Sequence, residues 1–167
     1  MRIVLFLVIL SINFSSFAKE SLNIAVASNF YDPIKLIQKQ FERKNKVNLI
    51  IIKGSTAQLY TQIINRAPVD IFLSADQITP KKINRSLVVQ NSQFTYATGK
   101  LVLWTSLIWN KKNNSKLFLE SEKTKILSIA NPNVSPYGKA SKEYLQNIEV
   151  WKKYKNKVAL ANNINQV

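Results

Sequence analysis

Four places in this chain put small hydrogen-bonding groups where an apolar run gives out and a helix is expected to start nearby. They are Ser28-Asn29, Gly54-Ser55-Thr56, Pro136-Tyr137-Gly138 and Asn162-Asn163-Ile164. Two chemistries are open to such junctions. Ser and Asn side chains can cap the unpaired amides of a first helical turn. Alternatively, those amides and the helix dipole attract negative charge. In an α/β sheet, strand ends of this kind gather along one edge, which is where these folds bind ligands. Hydroxyls and amides converging there suit a compact oxyanion and would hold it without a neutralising arginine. They favour its fully deprotonated form, because a protonated oxygen would turn its proton toward a donor.

Other chemistries are closed by composition. The 167 residues include no histidine and no cysteine, which removes thiol nucleophiles, Ser-His-Asp triads, His-dependent zinc sites and the usual general base. Asp70 and Asp76 are the nearest approach to a catalytic carboxylate pair. One lies on an apolar run and one at its exit, so they read as a capping and solvent-facing pair, and a carboxylate beside an oxyanion would repel it. A formal charge of +15 calls for an acidic partner such as nucleic acid, a membrane surface or a small anion. The basic residues are scattered through "ERKNK", "PKK", "NKK" and "WKKYKNK". Only the last interleaves aromatics as a stacking surface would, and it reads as a solvated helix end. Trp104, Trp109 and Trp151 are expected in cores or on lobe surfaces.

The elements that must position these residues alternate. Residues 22–27 form an apolar run, and Ile34, Ile37 and Phe41 then recur at helical spacing behind Pro33, which a first helical turn tolerates. "VNLIIIKG" leads to the helical "STAQLYTQIINRA", and "VDIFLSAD" leads to "QITPKKINRSL". Strands that are apolar almost throughout, alternating with helices, indicate an α/β fold with mostly parallel sheets. From Phe94 the pattern changes: "FTYATGKLVLWTS" reads as an extended, β-rich crossing into a second lobe. "KILSIANP", the helix of "SPYGKASKEYLQNI" and the strand of "VALANNINQV" then repeat the earlier theme. At the start, "MRIVLFLVILSINFSSFA" carries Arg2, an apolar core from Ile3 to Ile12 and a small-residue ending, the signature of a secretory signal cut after Ala18. Its loss would remove one basic residue and no acidic one, leaving a charge of +14. Export argues against a nucleic-acid partner.

Taken together, "ASNF", "GSTAQLYTQI", "APVDIFLSAD", "FTYATGKLVLW", "IANPNVSPYGKAS" and "LANNINQV" resemble the periplasmic molybdate-binding proteins of ABC importers, a branch of the type II periplasmic binding proteins. The resemblance runs from about residue 22 to the last residue. It implies two lobes, the first over residues 19–98 and the second, incomplete, over 99–167, behind a signal peptide of residues 1–18. It also implies a monomeric solute-binding protein of the periplasm, not an enzyme, that needs no cofactor and no bare metal ion. Such a protein would close on molybdate or tungstate and dock on an inner-membrane ABC permease. Selection among molybdate, tungstate and sulfate would rest on cavity radius.

Carried over residue by residue, the family's oxyanion ligands fall on Ser28, Asn29, Thr56, Tyr137 and Ile164, the last through its backbone amide, with Ser55 as the alternative hydroxyl beside Thr56. Two departures stand out. Ala57 occupies a position where related sequences often have Gly or Ser, and the family continues past the "ANNINQV" turn to finish the second lobe and return to the first. A truncated chain is therefore expected, with the apolar sides of the "KLVLW", "KILSIA" and "KVALA" runs partly uncovered. The competing readings are a basic secreted fragment that binds polyanions non-specifically, a non-functional truncated product, and a phosphate-ester hydrolase built on the same anion turns but lacking a visible nucleophile with its base.

Overall fold

The computed structural model describes residues 20–108 and 114–167, so the expected signal peptide and Trp109 lie outside the described residues. Two parallel sheets carry the fold. In the first, β1 (Ser21–Ala27) lies between β2 (Asn48–Gly54) and β3 (Ile71–Leu73). Its register pairs Ser21 with Asn48 at one end and Ala27 with Gly54 at the other, while Ile24 faces Ile71 across the second seam. In the second sheet, β4 (Leu127–Ala130) pairs with β5 (Val158–Ala161). Each parallel pair needs a crossover, and helices supply it. These are α1 (Tyr31–Asn45) and α2 (Thr56–Ile64) around the first sheet, and α5 (Pro136–Asn147) with the single turn α6 (Trp151–Tyr154) around the second. Two further short helices, α3 (Ile78–Lys81) and α4 (Ser115–Glu120), complete the described set.

The central strand β1 is buried through Ile24, Ala25, Val26 and Ala27, as a strand covered on both faces must be. Its core joins Ile24 and Val26 to Ile34 and Leu49. The helical face of α1 differs from the one expected: Ile34 is buried, but Ile37 and Phe41 are exposed. The helix meets β2 through polar side chains one turn apart. Gln38 Nε2 donates to the Leu49 carbonyl at 3.0 Å, and the Leu49 amide donates to Glu42 Oε1 at 2.9 Å. Both bonds satisfy backbone groups on the outer edge of β2, so the helix turns toward that edge and leaves Phe41 at the rim.

The second core gathers Phe118, Leu119, Ile129, Leu145, Val150 and Tyr154. Tyr154 is fully buried, and its hydroxyl donates to the Leu119 carbonyl. Lys153 Nζ donates to the carbonyls of Leu119, Glu120 and Ser121 at 2.8–3.1 Å, closing the C-terminal end of α4 with a positive charge. Lys153 and Tyr154 of the aromatic-lysine run are thus held in the fold.

The segment 94–106 departs from expectation. Among the described residues it forms no strand. An alternation persists in the exposures, with Leu101 at 41% and Leu103 at 40% against Val102 at 79% and Trp104 at 82%. Apolar alternation sets the two faces of a strand, whereas a ladder also needs a neighbouring backbone. The two carboxylates behave as read. Asp76 accepts from the amide and hydroxyl of Thr79 to open α3, and Asp70 Oδ2 accepts from the Asn23 amide at 2.7 Å.

Candidate functional site

The carboxyl ends of the two sheets meet. The Ala57 amide, in the first turn of α2, donates to the Val134 carbonyl just before α5 at 3.2 Å. The 3-10 turn that follows β1 (Ser28–Phe30) lies against the one that follows β5 (Ile164–Gln166). The Tyr137 hydroxyl, in the first turn of α5, packs against the backbone of Gly99. All four junctions found in the sequence therefore lie where the ends of the two sheets meet.

Their local roles differ. Ser55 is the N-cap of α2 in a full capping box: its hydroxyl accepts from the Gln58 amide and donates to Gln58 Oε1, which also takes the Ser55 amide. Its hydrogen-bonding capacity is spent on the helix. Thr56, also buried, accepts a bond from the Ala75 amide at 3.2 Å and keeps its own proton to give. Of that pair, Thr56 has the free donor.

Ser28 and Asn29 do not cap α1, whose N-cap, Phe30, makes no side-chain bond. Ser28 is buried and its hydroxyl donates to the Gly54 carbonyl at 2.9 Å, tying the end of β1 to the end of β2. That proton must leave Gly54 before it can reach a ligand. Asn29 Oδ1 is buried and finds no hydrogen-bond partner among the described residues, a state that native structures rarely tolerate without a ligand or water. Turned over, the same carboxamide would offer its NH2 group.

In the other lobe Ser135, not Pro136 or Tyr137, is the cap, accepting from the Gly138 amide. Gly138 lets α5 sit on the end of β4, since a methyl there would come within 2.1 Å of the Ala130 carbonyl oxygen. Asn163 caps the last turn by accepting from the Asn165 amide, so the amide of Ile164 leads that turn.

Sequence reasoning passed over Ser74 and Tyr96. Ser74, buried at the exit of β3, accepts from the Asp76 amide, while its carbonyl takes the Tyr96 hydroxyl at 2.9 Å. The Tyr96 ring meets Phe30 edge-on at 4.9 Å between centroids. Burial, and secondarily the neighbouring Tyr137, raises the Tyr96 pKa above its ordinary value of 10.0. The aromatic residue in the segment "FTYATG" was the available signal, but its partners are remote in the chain. The ring braces the turn that holds Asn29. Among the described residues no cluster of His, Cys, Asp or Glu could hold a metal ion. Hydroxyls, carboxamides and helix-start amides remain, groups whose chemistry suits an oxyanion.

Residues 22–167 match the family described as bacterial extracellular solute-binding protein. The chain is 40% identical over 136 residues to the molybdate-binding protein ModA of Azotobacter vinelandii, a match covering 81% of this chain and 54% of that protein. It is 38% identical over 146 residues to ModA of Rhodobacter capsulatus, covering 85% and 56%. The solved structure of the Azotobacter vinelandii periplasmic molybdate-binding protein superposes with a TM-score of 0.78 at 31% identity, over 87% of this chain and 64% of that one. The chain thus spans about half the length of these two relatives and has the α/β fold of the solved structure over the matched part.

Proposed function

Because the chain belongs to the bacterial extracellular solute-binding proteins, we propose that it captures a tetrahedral oxyanion, molybdate or tungstate, between two lobes and delivers it to an ABC permease in the inner membrane. Lobe one comprises residues 19–98 and lobe two begins at Gly99. The protein acts as a monomer in the periplasm after loss of residues 1–18, and catalyses no reaction. The observation that carries this reading is the buried, unpartnered Asn29 Oδ1 beside Ser28, in a turn that packs on the Ile164 turn of the other lobe. Thr56 and Tyr137 add hydroxyls, and the Ile164 amide completes the set. Ser55 is assigned to capping. The names of the relatives at 38–40% identity support molybdate as the ligand.

Calorimetric titration of the purified chain with molybdate, tungstate and sulfate tests the proposal. Saturable binding of the first two at one site, little changed by moderate salt, is expected. Binding that collapses with salt and follows polyanion length would instead support association through the +15 charge alone, and no anion binding would overturn the proposal.

A further inference from the structure

Gly99 stands at the crossing between the lobes with ordinary backbone angles, since no glycine in the described chain has a positive φ. An alanine there meets no backbone strain, so conformational freedom is not the reason for a glycine at this position. The reason is proximity: a methyl built on Gly99 would lie 2.0 Å from the Tyr137 hydroxyl oxygen, 3.1 Å from Cζ and 3.8 Å from Cε2. The three nearest atoms all belong to that one ring, and the contact is worst at the hydroxyl.

We infer that Gly99 is a positioning residue for Tyr137, leaving open the space in which the phenolic hydroxyl is held where the two sheets meet. This rests on the reading of Tyr137 as an oxyanion donor. A methyl group at Gly99 has to push the hydroxyl away by about 1.4 Å to reach ordinary contact, and a hydrogen bond lengthened by that amount is lost. The substitution therefore acts on the ligand through the tyrosine without touching the ligand. It also links the crossing segment to recognition, because whatever shifts Gly99 shifts the Tyr137 hydroxyl.

The test is a double-mutant cycle with sodium molybdate as the probe, on the full chain, with Gly99→Ala, Tyr137→Phe and the two combined. Tyr137→Phe is expected to weaken binding about tenfold, the loss of one bond to a charged ligand. Gly99→Ala should weaken it by a similar factor while the ligand-free protein melts within a degree or two of the parent. In the Tyr137→Phe background, Gly99→Ala should cost less than about twofold, because the atom it displaces is gone. In ligand-free protein carrying 13C-labelled tyrosine, the Tyr137 Cζ resonance should move in Gly99→Ala. If Tyr137→Phe weakens binding but Gly99→Ala binds like the parent, or if the two effects add, the inference is overturned. If Tyr137→Phe itself binds molybdate like the parent, the oxyanion role of Tyr137 is overturned first, and the inference falls with it.

Discussion

Ser28 and Thr56 sit at equivalent strand ends, yet their hydroxyls are in different states, and the difference predicts unequal mutants. The Ser28 proton is committed to the Gly54 carbonyl at 2.9 Å. Ser28→Ala removes that bond and leaves a part-buried carbonyl unpaired, costing the ligand-free protein about 1–2 kcal/mol, a fall of roughly 2–8 °C in melting temperature for a chain of this size. In the proposed binding, Ser28 would exchange Gly54 for the anion. The bond it gives up, about 1 kcal/mol, offsets part of the roughly 1.5–3 kcal/mol from the bond it gains, so the mutant should bind about two- to thirtyfold more weakly.

Thr56 accepts from the Ala75 amide and gives nothing away in return. Its loss should remove the whole charge-assisted bond, roughly ten- to a hundredfold or more in affinity, and Thr56→Ser, which keeps the hydroxyl, should recover most of it. Thermal unfolding without ligand and calorimetry with molybdate on all three variants decide the matter. A Ser28→Ala protein that melts like the parent and loses as much affinity as Thr56→Ala would refute the assignment of the Ser28 proton.

Ser55→Ala breaks the capping box of α2 and should cost about 0.5–2 kcal/mol of stability by thermal unfolding, with molybdate affinity close to the parent's. Gly138→Ala drives a methyl into the Ala130 carbonyl, whose atoms are backbone and cannot swing aside, so a loss of about 1–3 kcal/mol or more is expected, visible as a lower denaturation midpoint. The raised pKa of Tyr96 means that the folded state favours the neutral phenol. Its contribution is fully present below the unfolded value of about 10 and is lost as pH rises through the folded value. Unfolding titrations above pH 10 should therefore show a falling midpoint, less steep in Tyr96→Phe. Buried Tyr154, also raised chiefly by burial, adds to the slope.

The alternation of apolar runs and helical spacing was enough to read the parallel α/β plan, because β1 and β4 bury the ends of their apolar runs and helices supply the crossovers. The junction residues were legible as a class for the same reason, since strand ends share an edge whatever the detail. Which hydroxyl caps and which is free was not, as shown by Ser55 and Thr56, adjacent and chemically alike but separated by the reach of Gln58. The seat of α1 was misread because Gln38 and Glu42 hydrogen-bond to the backbone of β2, a bond that no hydropathy pattern records. The stretch from Phe94 to Ser106 was over-read as strand because pairing depends on a second backbone. Tyr96 went unremarked because its meaning comes from Phe30, Ser74 and Tyr137, each far away along the chain.

The bond from the Ala57 amide to the Val134 carbonyl joins the lobes through main-chain atoms alone. Such a clasp is indifferent to most sequence drift: either side chain can change without deleting donor or acceptor, and only proline at position 57 would take the donor away. Proline is otherwise acceptable in the first turn of a helix, so Ala57→Pro would sever the clasp while leaving α2 intact. The fastening between the two sheets is thus written in the path of the chain and not in its side chains.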